Sequence, residues 1–429
     1  MSEHQFKAET LAIHAGQTPD AATGARALPI YQTTSFVFDS TEHAASLFNL
    51  QTFGNVYSRL SNPTVAALEE RVAALEGGRA ALASASGMAS EAMALMTILQ
   101  QGDHVVAAGA LYGGSVSMLA VNLARFGIET SFVDATRADA FAAAMRPNTR
   151  AVFAESLGNP SLIMLDIAAV AEVAHAHGVP LVIDNTVPSP FLCNPLRLGA
   201  DIVVHSATKY LGGHGTTLAG VLVEGGKFPW DNGKFPGMTE PSKGYHGVRF
   251  YETFGDFGFT MRARMETLRV YGAALSPMSA WQILQGTETL HVRMERHCSN
   301  ARKVAEFLKG DPRISWVNYP GLPDHPQHAL VQKQMRHIDG VAGASGLLAF
   351  GVKGGLAAGV RFIEAAQFLS HLANIGDTRT LIIHPASTTH RQLDAEQQIA
   401  AGVLPDMVRM SVGIEHIDDI LWDIDQALG

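Results

Sequence analysis

Charge is what this sequence has least of: 17% of its 429 residues are Asp, Glu, Lys or Arg, against about 25% in an average soluble chain. So few charges imply a large interior, surface hidden between subunits, or both. Cysteine is nearly missing as well. Cys193 and Cys298 make at most one disulfide, which excludes a disulfide scaffold and favours a reducing compartment. No block of Lys and Arg is long enough for a nucleic-acid or anionic-membrane patch, and the net charge is −9. No uncharged apolar run reaches the roughly 18 residues of a membrane span; the nearest, Ala80 to Leu99, contains Glu91. The opening Met1-Ser2-Glu3-His4-Gln5 lacks the basic-then-apolar order of a signal peptide. A soluble cytoplasmic protein is expected. Its 18 histidines include no His-Glu-x-x-His, and no paired cysteine spacing occurs, so no metal is expected. Both Gly-Lys pairs, at Lys227 and Lys234, run into Phe, and no strand leads into Gly-x-Gly-x-x-Gly. Nucleotide-binding loops are thereby excluded.

What is present is an alternating pattern. The first 62 residues are punctuated by Pro19, Gly24 and Pro29 and read as an arm. A helix follows, with Asn62 as cap, Pro63 in the first turn, apolar Val65, Leu68, Val72 and Leu75, and a stop at Gly77-Gly78. Six strands are then expected at Asp103–Ala108, Ile128–Asp134, Ala151–Ser156, Pro180–Asp184, Asp201–His205 and Leu218–Glu224, with helices at Gly113–Arg125 and Asp166–His177 between them. That alternation predicts an α/β fold with a doubly wound, mostly parallel sheet. Residues 225–258, rich in Gly, Pro and aromatics, read as an ordered loop inserted near the active site or an interface. Beyond about residue 277 a long helix, Glu288–Leu308, precedes strands at Ile314–Asn318, Gly346–Val352, Leu381–His384 and Val408–Val412. Further helices are expected near Leu356–Leu369 and His416–Leu428. The expected division is an arm at 1–62, a ligand-binding domain at 63–276 and a smaller α+β domain at 277–429.

In an open α/β sheet, ligands bind beyond the carboxyl ends of the strands. Asp184 ends one expected strand and Lys209 follows the next. On these two residues alone an ion pair is an equal reading. Three additions shift the balance. Ser206 and Thr208 flank the lysine with hydroxyls, Ser86-Gly87-Met88 opens a helix whose free N–H groups suit an anion, and Tyr112 offers a ring at the same rim. A phosphate cradle, a stacking ring, an acid and a lysine describe a pyridoxal phosphate site. There a lysine forms a Schiff base and an acid keeps the pyridine nitrogen protonated.

These segments resemble the Cys/Met-metabolism family of fold-type I pyridoxal phosphate enzymes. The likeness is carried by Tyr57-Ser-Arg59-Leu-Ser-Asn-Pro-Thr64, Ser86-Gly-Met88, Leu111-Tyr-Gly-Gly114, Glu155-Ser-Leu-Gly-Asn-Pro160, Asp184-Asn-Thr186, Ser206-Ala-Thr-Lys209 and Val408-Arg-Met-Ser411, in family order. The resemblance implies that Lys209 is the Schiff-base lysine and proton shuttle, and that Tyr112 stacks on the ring. It places Asp184, Asn159 and Thr186 around the ring and Gly87, Met88, Ser206 and Thr208 on the phosphate. Tyr57, counted with Lys209 and Tyr112 as catalytic, and Arg59 would reach the phosphate from a neighbouring subunit. Arg409 and Asn374 would hold the substrate, Arg409 by its α-carboxylate. A homotetramer, built as a dimer of dimers, is the implied assembly. Asn374-Ile-Gly-Asp377 before His384-Pro385, together with the 225–258 insertion, resembles the sulfhydrylase branch, which joins an O-acylated homoserine to sulfide or a small thiol. Gly114 stands where the family's methionine lyases place Cys.

Overall fold

The computed structural model describes residues 4–389, 391, 394, 396, 398 and 402–429. Its main sheet has seven strands: β1 Ala80–Ser84, β2 His104–Ala108, β3 Glu129–Val133, β4 Thr149–Glu155, β5 Leu181–Asp184, β6 Ile202–Ser206 and β7 Gly220–Glu224. Their order is β1-β7-β6-β5-β4-β2-β3, all parallel except β7, which runs antiparallel to both neighbours. Buried on both faces, β2, β5 and β7 read as continuous apolar runs and not as alternation. The carboxyl ends of β1, β2, β4, β5 and β6 therefore share one rim.

The helix Pro63–Glu76 forms where its local signals place it. Asn62 Oδ1 accepts from Thr64 N at 3.0 Å, and Gly77 ends the helix at φ 70°. The arm is less irregular than expected, with short helices at Ala8–His14 and Thr41–Phe48. It is tied down at two places. Fully buried Arg71 donates to Ala15 O and Gln17 Oε1, and Thr64 Oγ1 bonds Pro29 O and Tyr31 N. Between and beyond these ties, Val37, Phe38, Phe48, Phe53 and Tyr57 stay exposed.

Strand β1 has no counterpart in the sequence reading. Its Ala-rich segment carries none of the β-branched residues that mark strands, and it is a strand because it pairs in register with β7. The 225–258 segment contains helical turns at Pro236–Thr239, Phe250–Phe254 and Gly255–Phe257. Its buried Phe228, Trp230 and Phe235 pack on one another, Trp230 stacks on Phe259, and Lys234 Nζ reaches His177 O. That contact lies before the amino end of β5, away from the rim. Of the two places expected for this segment, the active site or an interface, the first is corrected for this part, since its rings are driven inward onto the far end of the sheet.

The second sheet has the order Ser370–His371, Leu381–Ile383, Met407–Ser411, Leu347–Val352, Ile314–Asn318. The expected long helix forms at Leu290–Gly310, and a further helix, Pro277–Glu288, precedes it across Thr289. Arg409 lies on a central strand, paired with Ala349 and Ile383. Among the described residues no helix is long and apolar enough to cross a membrane.

Candidate active site

The rim encloses a cavity of about 190 Å³ between the two sheets. Each wall comes from a strand end. Beyond β1, Ser86 caps the helix Gly87–Met96 by accepting from Ala89 N at 3.2 Å. The first turn of that helix presses against the end of β6. A Cβ on Gly87 would lie 2.6 Å from Ser206 Cβ, so only glycine fits. Free N–H groups and the positive helix end thus face the cavity beside Ser206, a fitting place for a phosphate. Thr208 differs from expectation in detail. Its hydroxyl already donates to Ala219 O at 3.2 Å and accepts from Ala219 N at 3.0 Å, so a phosphate would have to take that proton over.

The ring end is shaped by Tyr112, beyond β2, with its ring half exposed over the cavity. A Cβ on Gly114 would stand 2.5 Å from the Tyr112 ring, so the glycine leaves the ring its place. Glu155, at the end of β4, holds both neighbours by their backbones, accepting from Tyr112 N at 2.5 Å and Asn159 N at 3.1 Å. Asp184, at the end of β5, accepts from Thr186 N at 2.8 Å. Thr186 Oγ1 in turn accepts from Ser206 N at 2.8 Å, which links the acid to the strand that leads to Lys209.

The charges facing this space are unusual for their burial. Burial raises the Asp184 carboxyl, while Thr186 and the nearby His205 pull it the other way. Burial and the charge of Asp184 raise Glu155 as well. Lys209 is lowered to about 8, first by burial and then by the Arg409 charge. Its Nζ donates to Asn374 Oδ1. Arg409, from the second sheet, donates to Asn159 Oδ1 and to Asn374 O, both at 3.0 Å. Its buried Nε–H has no partner among the described residues, an unmet donor beside the lysine that a carboxylate satisfies.

Of the residues singled out from sequence, Lys209, Asp184, Tyr112, Asn159, Thr186, Gly87, Met88, Ser206, Thr208 and Arg409 line this cavity. Asn374 is joined to it through its bonds to Lys209 and Arg409. Tyr57 and Arg59 line neither it nor the adjoining hollow. They stand on the arm, with the Arg59 guanidinium 5.3 Å from the centre of the Tyr57 ring. Sequence reasoning missed the roles of Glu91 and Glu155. The signal for Glu91 was its place four residues after Gly87, on one helix face of an otherwise apolar run.

The residues present fit pyridoxal phosphate, from the helix end that admits only glycine to the acid and the partly discharged lysine. Comparison with known proteins agrees. The model of the Cys/Met metabolism PLP-dependent enzymes matches residues 9–429. An O-acetyl-L-homoserine sulfhydrylase of Leptospira meyeri is 54% identical, over 99% of this chain and 97% of its own. O-acetyl-L-homoserine sulfhydrylase 1 of Thermus thermophilus is 51% identical, over 98% of this chain and 99% of its own. A crystal structure from Campylobacter jejuni, named for O-acetylhomoserine (thiol)-lyase and containing N′-pyridoxyl-lysine-5′-monophosphate, superposes with a TM-score of 0.94. It is 40% identical and covers 99% of this chain and 100% of its own.

Proposed function

The chain belongs to the Cys/Met metabolism PLP-dependent enzyme family, and we infer that it performs γ-replacement on O-acetyl-L-homoserine in methionine biosynthesis. The Cγ–O bond to acetate breaks, a Cγ–S bond to sulfide forms, and the products are L-homocysteine and acetate. The observation that carries this reading is one cavity walled by Lys209, Asp184 and Arg409.

Bound pyridoxal phosphate supplies an electron-withdrawing ring that stabilises negative charge on the substrate carbon. The chain's residues do the rest. The Gly87 helix end and Ser206 would hold the phosphate, with Met88 and Thr208 beside them. Asp184 would hold the ring nitrogen, Asn159 the ring hydroxyl, and Tyr112 would stack on the ring. Arg409 takes the α-carboxylate through its unmet Nε–H and one terminal nitrogen. Lys209 Nζ, lowered to about 8, exists partly as the free amine near neutral pH and can take the Cα proton. Its bond to Asn374 Oδ1 aims that nitrogen. Residues 63–276 serve as the cofactor-binding domain and 277–429 as the domain that brings Arg409.

Sulfide needs no charged pocket of its own, whereas cysteine brings two charges that need partners. With O-acetylhomoserine, homocysteine should form from sulfide far faster than cystathionine from cysteine, and methionine should release little 2-oxobutanoate. A product assay with both thiols decides this. A higher kcat/KM for cysteine, or rapid breakdown of methionine, moves the chain to another branch of the family.

We further propose that the site is shared between subunits. Tyr57, which the family likeness counts as catalytic, and Arg59 sit among exposed apolar residues of the arm, placed to complete a neighbour's phosphate site within a dimer of dimers. Arg59→Ala and Lys209→Ala should each be nearly inactive. Co-refolded mixtures should regain part of the activity, because a heterodimer keeps one intact site. Proven heterodimers without recovery place Arg59 outside the neighbour's site.

A further inference from the structure

Glu91 is 3% exposed, on the same helix face as Gly87, and it borders the cavity. Its Oε2 meets no donor among the described residues. Three neighbours act on it: the Asp184 carboxyl on β5 and Glu155 on β4, which line the same cavity, and the Ser115 hydroxyl of the helix Gly113–Ser117. Asp184 also feels His205 on β6, whose Nε2 is paired with the fully buried Glu76 at 2.6 Å.

Two carboxylates cannot hydrogen-bond to each other, and two like charges in contact in a dry site do not both ionise. A proton must lie between Glu91 and Asp184. The surroundings decide its owner. Asp184 has the Thr186 N–H at 2.8 Å and the positive influence of His205 to support a negative charge. Glu91 has no such support: the Ser115 hydroxyl near it meets no partner among the described residues, and burial with the charge of Asp184 raises Glu91 well above the usual carboxylate range.

We propose that Glu91 is a positioning residue: as a neutral acid it donates its proton to Asp184, keeping the aspartate ionised and aimed at the pyridine nitrogen. The ring in that statement rests on the proposed function; the shared proton does not. The pairing also explains why a helix that offers its amino end to a phosphate buries an acid one turn later. The acid is uncharged there and adds nothing to oppose the phosphate.

Two measurements test this. Infrared difference spectra of cofactor-free protein at neutral pH, wild type minus Glu91→Gln, should show the carbonyl stretch of a neutral carboxylic acid. Pyridoxal phosphate affinity should then be measured for wild type, Glu91→Gln and Glu91→Leu across pH. The amide still donates to Asp184, so Glu91→Gln should stay within about threefold of wild type, while Glu91→Leu should bind about tenfold or more weakly near pH 6. Without its donor Asp184 holds a proton more tightly, so that deficit should shrink as pH rises and the aspartate ionises. No acid band lost in Glu91→Gln overturns the proposal, whether or not Glu91→Leu folds. So does wild-type affinity and pH profile in folded Glu91→Leu. A wild type that takes up no pyridoxal phosphate overturns the active-site reading and the ring assignment with it, an outcome the infrared band does not mimic.

Discussion

Lys209→Ala should lose turnover by roughly 10³-fold or more, the scale of removing a positioned proton carrier, and should lose the site of covalent cofactor attachment with it. The reasons are local. Lys209 follows β6 into the cavity, and burial with the Arg409 charge lowers its amine to about 8. A group lowered in this way is more often neutral near pH 7 than a surface lysine, and only the neutral amine attacks a carbonyl or takes a Cα proton. The sign fixes a pH dependence: cofactor uptake by the empty protein should quicken as pH rises and level off above about 8. Borohydride treatment of the loaded wild type, followed by peptide mapping, should find the pyridoxyl group on Lys209. A label on another lysine, or a colourless protein under saturating cofactor, defeats the assignment.

Asp184→Asn should nearly match that loss while leaving the cofactor bound. The side chain keeps its shape and can still accept from Thr186 N, so the end of β5 should hold its geometry. What goes is the negative charge. Removing one partner of a buried ion pair costs about 3–5 kcal/mol, and at about 1.4 kcal/mol per tenfold this is between roughly 10²-fold and a few thousandfold in rate. The wild-type charge is itself pH-dependent. Burial raises Asp184, so its ionised form is lost as pH falls sooner than for a surface aspartate. Turnover of the wild type should therefore fall on the acid side, and the asparagine variant should lack that limb. Near-normal turnover in the variant would mean that Asp184 does not face the ring.

The arm shows what each level of description can say. Asn62, Pro63 and Gly77 mark the helix Pro63–Glu76 because capping is chemistry among neighbours in the chain, and it could be read residue by residue. The helix Ala8–His14 was not legible. Its docking is accompanied by bonds from buried Arg71, some fifty-six residues away, to the backbone just after it. The first strand was hidden for the same reason, since an alanine-rich segment becomes a strand only when β7 offers it hydrogen bonds. The long helix Leu290–Gly310 was legible to within two residues, whereas the helix Pro277–Glu288 before it was not singled out.

At the site the division is sharper. Residue types and their order alone determined the α/β alternation, the positions of Asp184 and Lys209 at successive strand ends, and hence the kind of cofactor, because strand ends carry their residues to a rim whatever surrounds them. The tertiary structure alone decided which groups meet across long stretches of chain. Arg409 reaches Asn159 across 250 positions, Asn374 reaches Lys209 across 165, and Glu91 lines the same cavity as Asp184 from a different element. Protonation belongs to this second group, since a carboxyl or an amine takes its charge from the water it has lost and the charges it faces. Neither is written in the neighbouring letters of the sequence.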